Sequence, residues 1–282
     1  MTPSGITAWV AACCALVGGC AAAAPTVAAP PTAVAPPTAA SSAVATRWVP
    51  SPGASWQWQL TGPIDTTVDA DVFDIDGVES GAETVAALHR AGRRVVCYVD
   101  AGAAEEFRPD RGAFPADVLG DSGGFDGERL LDVRRLDVLA PIMAARFDVC
   151  RDKGFDGIEA DLADGYTRDS GFPLTADDQL TYNRMLADLA HERGLSIGLK
   201  NDLDQVSELV DDFDFAVNEQ CFEYGECAKL APFVRAGKAV FSAEYELDPP
   251  TSAPRPAAWG SARSASGPAS TPGARRADQS SP

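Results

Sequence analysis

Two short segments constrain this chain more than any other feature: Gly157-Ile158-Glu159-Ala160-Asp161 and Val217-Asn218-Glu219-Gln220-Cys221. Each is a short apolar run that reads as a buried strand and carries carboxylates near its end. Each is followed by a loop and a helical pattern. A strand that presents an acid at its carboxyl end, repeated along a chain of alternating strands and helices, describes the mouth of a (β/α) barrel.

The pattern around them supports that frame. The periodicity predicts strands over 71–76, 94–100, 128–133, 155–161, 195–201, 215–220 and 238–245, with helices over 80–91, 137–153, 176–193, 203–211 and 225–236. Gly92, Gly154, Gly194 and Gly237 stand where helices turn into the next strand, the usual place for a C′ glycine. Thr175 with Asp178 three residues on is an acidic capping box. Such alternation implies a parallel sheet with helices outside it. The fold class is therefore α/β, a (β/α)8 TIM-type barrel. Seven strands follow residue 70, one short of closure. The run 56–60 (Trp-Gln-Trp-Gln-Leu) has no room for a crossover helix before 71–76 and is expected at the barrel mouth or in a local pairing. The missing strand then falls at the C-terminal end, which leaves the barrel incomplete there.

The flanks differ in composition from the domain. Residues 1–46 carry no charged side chain, 6–17 are apolar, and Val17-Gly18-Gly19-Cys20 fits a lipobox. Residues 1–20 read as a lipoprotein signal peptide with Cys20 as the acylated residue. The n-region has no Lys or Arg, so an ordinary cleaved secretory signal stays open. Either way the protein is exported, lipid-anchored on the outer face of the cell membrane or secreted. Residues 21–47 are an Ala/Pro/Thr-rich linker, and the domain spans 48–248. Residues 249–282 lack periodicity and read as a disordered tail. On codons chosen to suit, a reading frame shifted near Pro249–Pro250 encodes a strand-like segment, so a frameshift is one origin for this tail.

The formal charge of −18 repels nucleic acid and attracts cations. A cationic or amino-sugar polysaccharide is one partner this suits, and solubility alone is the other reading. Cys221 and Cys227 flank a short loop that a disulfide could close in an oxidising compartment, whereas Cys97 reads as a packed thiol inside a strand. The two histidines, His89 and His191, sit on helix ends without ligand spacing, so no metal is expected. No cofactor is indicated, and a monomer is expected.

Acids gather at the strand ends: Asp74, Asp76, Asp100, Glu159, Asp161, Asp202, Glu219 and Glu244, with Lys200 and Asn201 among them. Glu159 and Asp161 point to one side of their strand, and burying them demands a partner such as Lys200. A structural salt-bridge network is the alternative. Trp56, Trp58, Tyr98, Tyr166 and Tyr224 lie in or just beyond the same strands. They suit a sugar platform; for Trp58 and Tyr98 a core role is equally open.

Taken in order, these residues carry a resemblance. Trp-Gln-Trp-Gln-Leu, Asp74-Ile75-Asp76, Cys-Tyr-Val-Asp-Ala-Gly, Glu105-Glu106-Phe107-Arg108-Pro109-Asp110, Gly-Ile-Glu-Ala-Asp, Asp164-Gly165-Tyr166, Gly198-Leu199-Lys200-Asn201-Asp202 and Asn218-Glu219-Gln220-Cys221 resemble glycoside hydrolase family 114, the endo-α-1,4-polygalactosaminidase family. The resemblance implies a (β/α) barrel that cleaves α-1,4-linked galactosamine polymers with retention, with Asp161 as nucleophile and Glu219 as acid/base. The family tends to place Pro and Asn around that Asp; here they are Ala160 and Leu162. Counted from 71–76, Asp161 ends the fourth strand and Glu219 the sixth, so the two can face each other across the mouth. Lys200 would keep Asp161 ionised, and Asp74, Asp76, Asp100 and Glu244 would hold hydroxyls or an ammonium. Two other readings stand: a tethered carbohydrate-binding lipoprotein without turnover, and an α-galactosidase-type barrel for another glycan.

Overall fold

Parallel strands separated by helices fold here into a ring. The computed structural model describes residues 47–245 and the strand 259–266. In chain order the elements are β1 (Trp56–Gln59), β2 (Val72–Asp76), α1 (Ala82–Arg90), β3 (Arg94–Asp100), β4 (Ala103–Glu105), β5 (Leu119–Ser122), β6 (Glu128–Leu131) and α2 (Leu136–Lys153). There follow β7 (Gly157–Asp161), α3 (Ala176–Glu192), β8 (Ser196–Lys200), α4 (Val206–Leu209), β9 (Phe215–Glu219), α5 (Ala231–Arg235), β10 (Val240–Ala243) and β11 (Trp259–Ser266). The barrel order is β1-β11-β10-β9-β8-β7-β3-β2, and β4, β6 and β5 form a separate three-stranded sheet.

Strand alternation divides the core in two. One set of side chains fills the barrel: Trp56, Trp58, Val72, Val96, Phe215, Val217 and Phe241. The other set, including Phe73, Ile75, Val95, Ile158, Ile197 and Leu199, lies against the helices. Inside the barrel Trp56 stacks on Trp58 and Phe241, with centroids 5.9 and 5.1 Å apart. Gly198 faces the same space. A Cβ there would meet the Phe215 ring at 2.3 Å, so the large ring requires the empty position.

The two histidines brace the opposite end of the barrel. His89, in the last turn of α1, contacts Asp156 at 2.8 Å, and Asp156 also accepts from Arg94 and the Val95 N–H. His191, in the last turn of α3, contacts Asp214 at 2.9 Å, and Asp214 accepts from Arg47 and the Ile197 N–H. Asp156 immediately precedes β7 and Asp214 immediately precedes β9, so each clamp anchors a strand that carries a mouth acid.

Several expectations are corrected. The run at 56–60 is a barrel strand: β1 pairs in parallel with β2. Its connection to β2, 60–71, is long enough for a crossover without a helix. The segment 128–133 is not a barrel strand. Only short 3-10 turns lie between β4 and β5, so β6 pairs antiparallel with both, and β3 pairs directly with β7. One strand gained and one lost keep Asp161 at the end of the fourth strand and Glu219 at the end of the sixth. The strands within 47–245 make a seven-stranded sheet, nearly closed, and β11 occupies the remaining place, parallel to β10 and β1. The expected gap is thus filled by residues read as disordered tail. The signal peptide with Cys20, nearly all of the linker, and the rest of 249–282 lie outside the described residues.

Cys97 is not a free packed thiol. It faces outward from β3 toward α2 and is bonded to Cys150, with Cα atoms 6.1 Å apart. Cys221 and Cys227 are bonded as the sequence suggests. The capping box of Thr175 and Asp178 starts α3 as expected.

The Cys97–Cys150 bridge closes a span of 53 residues. Its removal as Cys97→Ser with Cys150→Ser should cost about 4 kcal/mol of stability, the loss expected for a loop of this length. Equilibrium denaturant unfolding of the double variant measures that loss.

Candidate active site

The mouth is organised by one cation. Lys200, the last residue of β8, is 2 % exposed, and its Nζ lies 3.2 Å from Glu159 Oε1, 3.0 Å from Asp161 Oδ1 and 3.2 Å from Glu219 Oε2. The three acids come from β7 and β9, the strands on either side of β8. Asp161 Oδ1 and Glu219 Oε2, which share this nitrogen, therefore lie no farther apart than roughly 6 Å, within the range of paired carboxylates. The Lys200 ammonium also sits 4.9 Å from the Trp58 ring centroid. Burial works against its charge, but Asp161, Glu159 and Glu219 outweigh it and raise the ammonium well above its ordinary value.

Asp161 is held ready as an anion. Its Oδ1 accepts from Lys200 and from the Leu162 N–H at 2.9 Å, and its Oδ2 accepts from the Tyr98 hydroxyl at 2.8 Å. Burial pushes the carboxyl up, yet Lys200, Tyr98 and the Leu162 N–H together bring it below the ordinary carboxylate range. Leu162 stands where the family favours Asn, but the contact made to Asp161 comes from the backbone, which any residue supplies.

Beneath this layer lies a second acid pair. Glu159 is fully buried and accepts from Trp58 Nε1 at 3.0 Å. Asp74, 1 % exposed, receives no nitrogen donor on either oxygen; its neighbour is Glu159. Burial, then the Glu159 charge, holds the Asp74 carboxyl well above the ordinary range, which favours its neutral form. Burial raises Glu159 too, and Lys200 partly offsets it.

Glu219 borders open space. Its Oε2 pairs with the Lys200 ammonium and accepts from Asn201 Nδ2 at 3.0 Å, and its Oε1 accepts from the Tyr245 hydroxyl. Tyr245 in turn stacks on Trp58. A cleft of about 320 Å³ opens beside Glu219, lined among others by Asp164, Tyr166, Asp202, Asp204, Tyr224 and Glu226. Its walls are strongly acidic. Burial, then Asp164 and Asp204, push the Asp202 carboxyl up to about 8 against hydrogen bonds from Tyr166 and Asn183. Among the described residues no group of three or more His, Cys, Asp or Glu side chains is placed to hold a metal ion.

The chain turns abruptly just past each of these strands. Leu162, Asn201, Asp202 and Gln220, with φ of 56°, 51°, 44° and 61°, are the non-glycine residues in the left-handed region among those described. Three of them immediately follow Asp161, Lys200 and Glu219. Strained backbone of this kind persists where the surroundings over-determine it.

The residues singled out from sequence divide by depth. Asp161, Glu159, Lys200, Asn201, Glu219, Trp58, Tyr98 and Asp74 form one connected cluster, and Tyr166, Asp202 and Tyr224 line the cleft. Four lie elsewhere. Trp56 is fully buried one layer below Trp58 and does not reach the mouth, because two residues of strand carry a side chain a full layer down. Asp76 is taken by Arg108, at 2.7 and 2.9 Å, and by the N–H groups of Val78 and Glu79. Asp100 accepts from the N–H groups of Gly102 and Ala103. Glu244 accepts from Phe222 and Glu223 and so ties down the disulfide loop. Tyr245 and Arg108 were not singled out. Arg108 lies in the quoted 105–110 loop, whose acids flank it, while Tyr245 follows β10 with no local signal.

Comparison with known proteins gives the family. The model of glycoside-hydrolase family GH114 matches residues 37–274. The chain belongs to this family. It is a glycoside hydrolase. The crystal structure of Aspergillus fumigatus Ega3 in complex with galactosamine is 38 % identical, covers 76 % of this chain and 92 % of its own, and superposes with a TM-score of 0.71. The glycoside hydrolase domain of PelA from Pseudomonas aeruginosa is 13 % identical, with a TM-score of 0.53 over 70 % of this chain and 85 % of its own, and shares the fold. An uncharacterized protein of Deinococcus radiodurans is 28 % identical over 229 residues, 69 % of this chain and 73 % of its own length.

Two outcomes test the site. Lys200→Met leaves three acids around one lost cation and should cost about 3–5 kcal/mol of stability, read by denaturant unfolding. Asp202 binds its proton more tightly when folded than when unfolded. Its contribution is therefore present below about pH 4 and lost as pH rises to about 8. Asp202→Asn should flatten the fall in melting temperature across that window.

Proposed function

We propose that this chain hydrolyses α-1,4-linked galactosamine polymers with retention of configuration, using Asp161 as nucleophile and Glu219 as acid/base. The observation that most supports this reading is the shared Lys200 ammonium, 3.0 Å from Asp161 and 3.2 Å from Glu219, which keeps the two carboxylates close, as the retaining mechanism requires. The relative bound to galactosamine supports the substrate class, and so does the acidity of the cleft, which suits a polymer bearing ammonium groups.

The chemistry has two steps. Asp161, ionised, attacks the anomeric carbon while Glu219 delivers a proton to the departing glycosidic oxygen, so that oxygen leaves as an alcohol. Glu219, now a carboxylate, takes a proton from water as that water displaces Asp161 and frees the sugar with its original configuration. Lys200 balances charge throughout, and the Tyr98 hydroxyl and Leu162 N–H orient the nucleophile. Glu159 holds Lys200 from below. The leader is read as an export signal with lipid attachment at Cys20. The two disulfides among the described residues suit the oxidising compartment this implies.

The test is the anomer first released from a galactosamine oligomer, followed by proton NMR. The α product is expected, and the β product would overturn the mechanism. Asp161→Asn and Glu219→Gln should each lower kcat by about two orders of magnitude or more with circular dichroism unchanged.

A further inference from the structure

Glu219 has two oxygens, and the protein treats them differently. Oε2 receives Lys200 Nζ at 3.2 Å and Asn201 Nδ2 at 3.0 Å, while Oε1 receives the Tyr245 hydroxyl at the edge of open space. The asymmetry traces to Asn201. Its N–H still pairs with the Val217 carbonyl, as part of the β8–β9 ladder. Its backbone then turns left-handed, with φ 51°, and the chain leaves the sheet. The side-chain oxygen continues the ladder in its place: Oδ1 accepts from the Glu219 N–H at 3.0 Å and from Asn218 Nδ2 at 3.2 Å. One amide therefore grips both the backbone and the carboxylate of the same residue.

From this geometry we infer that Asn201 is a positioning residue that confines the transferable proton of Glu219 to Oε1. The inference rests on the reading of Glu219 as acid/base. An amide N–H aimed at Oε2 donates and cannot accept, and an ammonium beside it does the same. A proton on Oε2 would meet two donors, so the acid form carries it on Oε1. The Tyr245 hydroxyl marks Oε1 as the oxygen open to a partner other than Lys200 and Asn201, and on this reading the departing glycosidic oxygen replaces it there. An asparagine meets both demands at this position, since its side chain supplies one donor and one acceptor and its backbone tolerates the left-handed region better than most residues.

Asn201→Asp tests this, because it keeps an acceptor for the Glu219 N–H and removes the donor to Oε2. The substrates are aryl glycosides of a short α-1,4-galactosamine oligomer, one with phenol as leaving group and one with 2,4-dinitrophenol, which departs without help from an acid. For the phenyl substrate kcat/KM should fall about ten- to a hundredfold, as when acid assistance is impaired. For the dinitrophenyl substrate it should stay within about threefold of wild type. An equal fall on both substrates, or none on the phenyl substrate, overturns the inference. Glu219→Gln serves as the reference. If it too strikes both substrates equally, the assignment of Glu219 fails; if it is selective and Asn201→Asp is not, only the role of Asn201 fails. Should Asn201→Asp melt at growth temperature, Asn201→Gly preserves the left-handed turn and is held to the same ratio.

Discussion

One buried ammonium decides where the acids of this barrel stand. Lys200 touches Glu159, Asp161 and Glu219 at once while itself almost wholly removed from water. A lysine in that position is tolerable only because anions surround it, and the anions are tolerable only because it is there. The dependence fixes geometry as well as charge. Three side chains from two strands converge on one nitrogen carried by the strand between them, so the register of β7, β8 and β9 sets the distance between Asp161 and Glu219.

The support continues downward. Trp58 donates to Glu159, the buried Asp74 carboxyl adjoins Glu159, and the stacked indoles and Phe241 fill the barrel below. Polar and apolar layers thus alternate along the barrel axis. The histidine clamps at the far end hold β7 and β9 by their beginnings. The same two strands are therefore fixed at both ends, one by hydrogen bonds with helix-terminal histidines and the other by Lys200.

Much of this was legible in the residues. The alternation of apolar runs and helical patterns sufficed for the barrel class, and the pairing of Glu159 and Asp161 on one strand face required a buried cation, for which Lys200 was the candidate. What escaped was governed by contacts distant in sequence. Glu128–Leu131 has the pattern of a barrel strand, and only the absence of a helix before it marks it as part of an antiparallel side sheet. Cys97 carries no sign that Cys150 lies opposite on α2. Asp76, Asp100 and Glu244 look like free acids at strand ends, yet each is consumed by an arginine or by backbone N–H groups of its own or a neighbouring loop. Strand ends need capping as helix ends do, and a carboxylate serves either purpose.

The left-handed residues that follow Asp161, Lys200 and Glu219 carry an evolutionary consequence. A β-branched side chain fits that backbone poorly, so Leu162, Asn201 and Gln220 sit at positions where drift is channelled toward asparagine, aspartate, glycine and unbranched residues. After β8 the constraint extends a residue further, since Asp202 is left-handed as well. Variation at the mouth is thus narrowest at the first step out of each of these three strands.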